Sequence, residues 1–349
     1  MKKVFVNGYG SIGSRLAAFL KDDVEIKLLG VGKYSADERA DVAISRGLDV
    51  FVPESKLDSF AEYKISGTIE SALDDCDIVI DASPGGMGIR NKRSLYEPRN
   101  LMVIYQGGET TQGDDAVSNI LFNSRSNYEA AAGQRHVMQG SCNVTGMGRI
   151  LSPLQERYGS MIKRMDITLV RRWADIEQAD KSIPDTIEMT SNPHHGTDAK
   201  SYLGQDTPLH VRAIKVPTRQ MHLHITDIRF DGVAPCCDEI HGIFKDEYGV
   251  ATLWTAKSTA EIREFAKTTR FNFMDTNMIH IHANMTRSIQ DTVSMMYSDD
   301  QTGIVIPENH ILMQAMLFGR SYAEAATRTE KIFHMSEKKR LLESHFARR

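Results

Sequence analysis

Four cysteines in 349 residues (Cys76, Cys142, Cys236 and Cys237) are too few and too irregularly spaced for a disulfide framework. Their scarcity excludes a small disulfide-stapled fold and points to a reducing, cytoplasmic setting. No apolar run approaches the roughly 20 residues that cross a membrane, and the mean hydropathy is −0.34. The opening MKKVFVNGYGSIG starts with the charge of a secretory signal, but its apolar run stops at Asn7 and reads as a buried strand. An excess of one charge is missing too. The 42 basic and 46 acidic residues leave a net charge of −4, which gives no reason to expect nucleic acid or a membrane surface as partner. Internal repeats and low-complexity linkers are also lacking. What remains is a globular composition, 41% hydrophobic and 25% charged, in a chain that suits two domains better than one core.

The first 140 residues alternate short apolar strands with amphipathic helices. Residues 3–7, 26–32, 77–83, 101–108 and 136–141 read as strands; 11–21, 36–46 and 118–132 read as helices. Continuous apolar strands between helices predict a parallel sheet covered on both faces. From about residue 160 to 297 the strands lengthen and alternate in polarity, as in MDITLVRRWAD, LHVRAIKVP, QMHLHITDIRF and NMIHIHANM. Helices are expected at 236–247 and 259–268. This period-2 pattern predicts a mostly antiparallel sheet in an α+β second domain. The tail returns to helix, with Pro307 at a first helical position and a long amphipathic helix from Ser321 to the end.

VNGYGSIGSRLAAFL places Gly8, Gly10 and Gly13 between the first strand and the first helix. Gly8 allows a tight turn, Gly10 lets a pyrophosphate approach the backbone, and Gly13 permits close helix–strand packing. Free N–H groups at the helix start then meet the phosphates. Where NAD sites usually carry an acid at the end of the second strand, this chain has Lys33 followed by Ser35. A cation and a hydroxyl suit a 2′-phosphate, so NADP is expected, with NAD also used. The loops ASPGGMG and YQGGE, the latter with Gly107 and Gly108, are the other glycine-rich strand ends.

QGSCNVTGMGR sets Cys142 at a helix start, with Ser141 as the natural N-cap. The helix dipole there predicts a stabilised thiolate of lowered pKa. The other three cysteines read as packing residues. A base is sought on RQMHLHITDIRF, where alternation separates Met221, Leu223 and Ile225 from His222, His224 and Thr226. The pairs His222/His224 and His280/His282 have no completing cysteine or carboxylate at a recognisable metal-ligand spacing, so no metal is expected. Arg171, Arg172, His194 and His195 supply a cationic group suited to phosphate.

VNGYGSIGSR, YQGGE, SCNVTG, VRRWAD, HHGTDAK, MHLH and IVIPEN occur in an order and at spacings that resemble archaeal-type (class II) glyceraldehyde-3-phosphate dehydrogenase over nearly the whole chain. The resemblance implies a Rossmann-type parallel-sheet domain at 1–140 and 303–349, with the final helix returning to it, and a catalytic α+β domain at 141–302. It implies Cys142 as nucleophile and His222 as base. Ser11, Ile12, Gly108, Arg171 and Gln301 would contact the cofactor, NADP or NAD, and Ser141, Asn143, His194 and His195 the substrate, with Arg172 beside them. The expected reaction oxidises glyceraldehyde 3-phosphate through a thiohemiacetal and thioester. Inorganic phosphate then releases 1,3-bisphosphoglycerate, in glycolysis or gluconeogenesis, and the assembly is a homotetramer. Related cysteine-dependent acyl-phosphate reductases acting on semialdehydes, and a non-catalytic dinucleotide-binding redox sensor, are the competing readings. Two departures stand out. Trp173 interrupts the family's RRAAD pattern and would reshape the acceptor pocket, and SDDQTG replaces HQE, so that Asp299 and Asp300 add charge on the nicotinamide side.

Overall fold

The computed structural model describes residues 1–178, 181–190 and 193–348. Its contacts divide the chain into two units, Met1–Ser141 with Ile306–Phe333, and Cys142–Val305 with His334–Arg349. Strands of the first unit are β1 (Lys2–Asn7), β2 (Ile26–Gly32), β3 (Val50–Val52), β4 (Gly67–Thr68), β5 (Ile78–Asp81), β6 (Met102–Tyr105), β7 (Leu121–Phe122) and β8 (His136–Gln139). Those of the second are β9 (Ile162–Arg172), β10 (Glu188–Thr190), β11 (Leu209–Val216), β12 (His222–Phe230), β13 (Val250–Leu253), β14 (Ile279–His282), β15 (Arg287–Ile289) and β16 (Thr292–Asp299). The helices that bear on the sites are α1 (Ser11–Leu20), α2 (Glu38–Ser45), α3 (Cys142–Tyr158), α4 (His195–Leu203) and α5 (Cys237–Phe244). Three more close the chain, α6 (Val305–Phe318), α7 (Tyr322–Phe333) and α8 (Met335–His345).

The first sheet runs β4-β3-β2-β1-β5-β6-β8-β7 with parallel pairings throughout, the arrangement that strand–helix alternation predicts. Val4, Phe5, Val6, Val79 and Ile104 are fully buried at its centre. One expected helix is absent. Within 118–132 the chain forms the short strand β7 and a 3₁₀ turn at Tyr128–Ala131. Local amide chemistry explains the difference. Asn127 Oδ1 accepts the Asn123 N–H at 2.8 Å, and its Nδ2 donates to the Leu121 carbonyl at 2.9 Å, which competes with a helical ladder.

The second sheet has the order β10-β11-β9-β12-β16-β14-β13, with β15 paired to β16. It is mixed and mostly antiparallel: β9 with β11 and β13 with β14 are parallel. The histidine face of β12 is the covered one. His222, His224 and Thr226 are buried, whereas Leu223 and Ile225 are only half-buried. Gly146 of α3 makes this possible, because a Cβ there would come within 3.3 Å of both His224 Cε1 and Asp299 Oδ2.

The tail departs from a single long helix. His334 takes a left-handed φ of 52°, which separates α7 from α8. In the first unit Phe333 stacks on Phe19 at 4.3 Å. In the second, Glu343 accepts the Thr252 N–H at 3.0 Å, and Lys339 Nζ donates to the carbonyls of Phe244, Lys245 and Glu247 at the end of α5. The last helix therefore belongs to the second unit, and an unbroken 3.6-residue period gave no sign of the backbone reversal. Pro307 lies third in α6, where an N–H is still not required.

Candidate active site

The three glycines of the first loop do different jobs. Gly8 has φ +133°, and a Cβ on it would sit 2.4 Å from the Ala82 carbonyl oxygen; one on Gly13 would sit 2.0 Å from the Gly8 oxygen. Both are demanded by packing. Around Gly10 the space is open, the nearest atom to a Cβ being Arg39 Nη1 at 4.0 Å. No side chain caps α1 and no acid occupies its first turn. The N–H groups of Ser11, Ile12 and Gly13 are thus left for an anion, and the cradle fits a pyrophosphate.

Neighbouring loops are tied together by Glu109, whose carboxylate accepts the N–H groups of Gly86 and Gly88 at 2.8 and 3.0 Å. A Cβ on Gly85 would lie 3.1 Å from the Gly108 oxygen, and one on Gly107 would lie 2.5 Å from Ser141 Cα, so backbone approaches backbone at both places. At the end of β2, Lys33 is buried and its ammonium pairs with Asp37 at 2.7 Å, while Ser35 is exposed. Arg39, in the first turn of α2, is a third polar group here that the motif reading missed. Its position six residues after Lys33 was the only signal.

Cys142 is the first residue of α3, as its setting predicts. The cap does not form: Ser141 Oγ is buried without a hydrogen-bond partner. The lowered thiol pKa is overturned as well. Burial, and after it the Asp299 carboxylate, push the Cys142 thiol up to about 12, against the opposing pull of Arg172. The helix start carries only about half a unit charge, too little to offset desolvation and a nearby anion. Arg172 is moreover shared, its guanidinium holding Asp175 at 2.7 and 2.5 Å. The other cysteines vary: Cys76 and Cys237 are half-buried, but Cys236 is exposed and caps α5, where Glu239 accepts its N–H at 2.8 Å.

His222 and His224 enter from β12. Burial, then Arg172, His224, Arg171 and His195, hold His222 well below the usual histidine pKa, so its ring is neutral. Its Nδ1 accepts the backbone N–H of Arg172 at 3.2 Å, which assigns the single ring proton to Nε2. His224 Nε2 meets Asn143 Oδ1 at 3.0 Å, and Asn143 Nδ2 lies 3.8 Å from Cys142 Sγ. The cationic group forms as well. His194 and His195 stack at 4.1 Å, with His194 exposed and His195 buried. Burial, then His194 and Arg171, push His195 down to about 2. His195 Nδ1 and Arg171 Nε are both buried without partners, and unpaired polar groups of this kind cost roughly 1–3 kcal/mol each unless a ligand meets them. An anion would meet them.

Other expected residues fall differently. Gln301 Nε2 donates to the Arg219 carbonyl at 3.3 Å, and its Oε1 is buried and unpartnered. Trp173 lies under Lys215 Nζ, 4.0 Å from the ring centroid. Asp300 is structural, accepting from Arg263 at 2.9 Å and from the Thr276 N–H at 2.8 Å. His280 and His282 bracket Ser298 Oγ at 3.4 and 3.1 Å and are held neutral by burial. Asp299 is the residue whose place the motif reading missed. It stands opposite His222 in the β12–β16 register and on the same face. An oxygen of Asp299, Cys142 Sγ and a ring nitrogen of His222 all lie within 4.8 Å of one another. The pairing of two strands distant in sequence joins Asp299 to His222, and Cys142 meets them from the start of α3.

No protein-family model matches the chain. Curated relatives do. The chain is 34% identical over 328 residues to the glyceraldehyde-3-phosphate dehydrogenase of Methanothermus fervidus, covering 91% of this chain and 94% of that protein. It is 32% identical over 344 residues to the protein of the same name from Thermoplasma volcanium, covering 95% and 97%. A third, from Methanosarcina mazei, is 36% identical over 274 residues, covering 76% and 78%.

Proposed function

The chain belongs to the archaeal-type glyceraldehyde-3-phosphate dehydrogenase family, and from that premise we propose that it oxidises glyceraldehyde 3-phosphate with phosphate as co-substrate. The observation that carries this reading is the grouping of Cys142, neutral His222 and the unpartnered buried nitrogens of Arg171 and His195 in the second unit. The glycine loop of the first unit, with Ser11, Ile12 and Gly13, would hold the pyrophosphate of a nicotinamide dinucleotide, and Gly108 would contact it. When bound, that cofactor supplies the hydride acceptor.

Cys142 Sγ attacks the aldehyde carbon to give a thiohemiacetal anion; the resting thiol is protonated, so its S–H bond breaks as the S–C bond forms and the proton passes to solvent. The developing oxyanion is met by N–H groups at the start of α3, by Asn143 and by the Nε2–H of His222. After oxidation the carbon is a thioester on Cys142. Arg171, His194 and His195 hold the phosphate groups, one of which attacks the thioester and frees the acyl phosphate. Arg172, anchored to Asp175, lowers the thiol pKa and presents its backbone N–H to His222.

Lys33, Ser35 and Arg39 support NADP over NAD, since a 2′-phosphate gains from both cations. We assign a homotetramer on the family resemblance, supported by the half-exposed apolar residues Val170, Leu223, Ile225 and Met296 on the open face of the second sheet. No helix among the described residues is long and apolar enough to cross a membrane; the cytoplasmic assignment rests on the family.

Initial rates with glyceraldehyde 3-phosphate, with and without phosphate and with each cofactor, test the reading. Phosphate-dependent reduction of NADP+ is expected. Sustained turnover without phosphate, or none with either cofactor, contradicts it.

A further inference from the structure

His224 is fully buried, and none of the steps above uses it. Its ring is held from two sides. On the sheet it stands opposite Tyr297 in the β12–β16 register, and the two rings meet edge-on with centroids 4.7 Å apart. From above, α3 presses on it at Gly146, where a Cβ would come within 3.3 Å of His224 Cε1. Asn143 precedes Gly146 by one helical turn and leaves α3 on the same face, buried like the histidine.

The hydrogens around this ring have one consistent placement. His224 Nε2 lies 3.0 Å from Asn143 Oδ1 and 3.2 Å from Asp299 Oδ2, while Nδ1 is buried with no hydrogen-bond partner. A bare Nε2 would turn its lone pair on the fully buried Asp299 carboxylate and would strand a hydrogen on Nδ1. Nε2 therefore carries a hydrogen and donates it to Asn143 Oδ1. An amide held by its oxygen must turn its nitrogen the other way, and Asn143 Nδ2 lies 3.8 Å from Cys142 Sγ. Asp299 thus fixes the tautomer, the tautomer fixes the amide, and the amide aims an N–H at the sulfur.

We propose that His224 is a positioning residue of the thiol site, locked by Asp299 and holding Asn143 so that its Nδ2–H faces the sulfur and the oxyanion formed beside it. An unheld asparagine amide flips and offers oxygen as readily as nitrogen, and an oxygen there would repel the developing charge. A donor aimed before the reaction needs no reorganisation during it. The role at the oxyanion rests on the proposed function; the role at the sulfur does not.

Full-length wild type, His224→Phe, His224→Gln, Asn143→Ala and the double variant His224→Phe with Asn143→Ala are compared in two assays. One is turnover of glyceraldehyde 3-phosphate with phosphate and NADP+; the other is the rate of iodoacetamide labelling of Cys142 at pH 7.5. Asn143→Ala is expected to lose about 100-fold in kcat and His224→Phe about 30-fold, each with KM within about threefold of wild type. Because the two residues act as one unit, the double variant should fall no more than about threefold below Asn143→Ala. His224→Gln keeps an amide N–H near the place of Nε2 and should recover most of the loss. Labelling should slow several-fold in both single variants and no further in the double, since each removes the same N–H from the sulfur. Should His224→Phe fail to fold, His224→Leu takes its place in the cycle. Losses that multiply in the double variant, or His224→Gln as slow as His224→Phe, mark a merely structural histidine and overturn the proposal. His224→Phe turnover and labelling close to wild type overturn it as well. A wild type without turnover overturns the functional reading alone, and the labelling cycle then decides the role of His224 at the sulfur.

Discussion

The glycine loop of the first unit and the cysteine pocket of the second teach opposite lessons about how function is encoded. The loop is made of backbone. Three glycines within six residues fix its shape, and two of them are required by contacts of 2.0–2.4 Å that no other residue tolerates. The pocket is made of side chains on α3, α4, β9, β12 and β16. Its chemistry depends on charges that meet only after the sheet has formed. The first can be read along the chain; the second can be read for its membership but not for its electrostatics.

The pocket side of this contrast breaks most visibly at its nucleophile. Cys142→Ser is expected to lower kcat/KM by about 10³-fold or more while leaving cofactor binding, followed by nicotinamide fluorescence, unchanged. Retained turnover would remove the cysteine from the chemistry. The loop side breaks at Gly13. Its Ala variant places a methyl 2.0 Å from the Gly8 carbonyl oxygen, and loss of about 1–3 kcal/mol of stability is expected from overpacking, seen as a lower denaturation midpoint together with weaker cofactor binding. Gly10→Ala sharpens the distinction, because its Cβ has room. Stability should stay within about 0.5 kcal/mol of wild type while cofactor affinity falls about tenfold. The smallest effect is expected at the end of β2, where Lys33→Ala should raise the Kd for NADP+ several-fold and that for NAD+ less.

The pH behaviour of the thiol separates the two regions again. A helix-start cysteine judged from sequence alone would be a thiolate near neutrality. With the Cys142 thiol pushed up to about 12, its labelling by iodoacetamide in the free enzyme should climb with pH from 7 to 10 without reaching a plateau. A plateau below pH 8 would show a depressed pKa and restore the helix dipole as the dominant influence.

Much of the fold was legible because it is local. The strands β1, β2, β9, β11 and β12 follow from apolar runs and alternation, and α1 and α2 from their helical period. The failures have identifiable causes. Asn123 and Asn127 turned an apparent helix into a turn through their own amides. His334 broke the tail by a single left-handed residue. Which face of β12 is covered was not legible, because it is decided by the packing of α3 and not by which residues are apolar. At the site, Cys142, His222, His195 and Arg171 were all visible as motifs. Asp299 was noticed only as stray charge, because its partner His222 lies 77 positions earlier, and only sheet register joins them. Ser141 looked like a cap from its neighbours, but its hydroxyl is left without a partner.

The most direct test of the central claim is a single-turnover experiment without phosphate, with enzyme in excess of NADP+ and glyceraldehyde 3-phosphate supplied. Covalent chemistry at Cys142 predicts a burst of NADPH and an acyl group on the Cys142 peptide by mass spectrometry, discharged when phosphate is added. A burst with no adduct on that peptide, or an adduct that phosphate does not release, would contradict it.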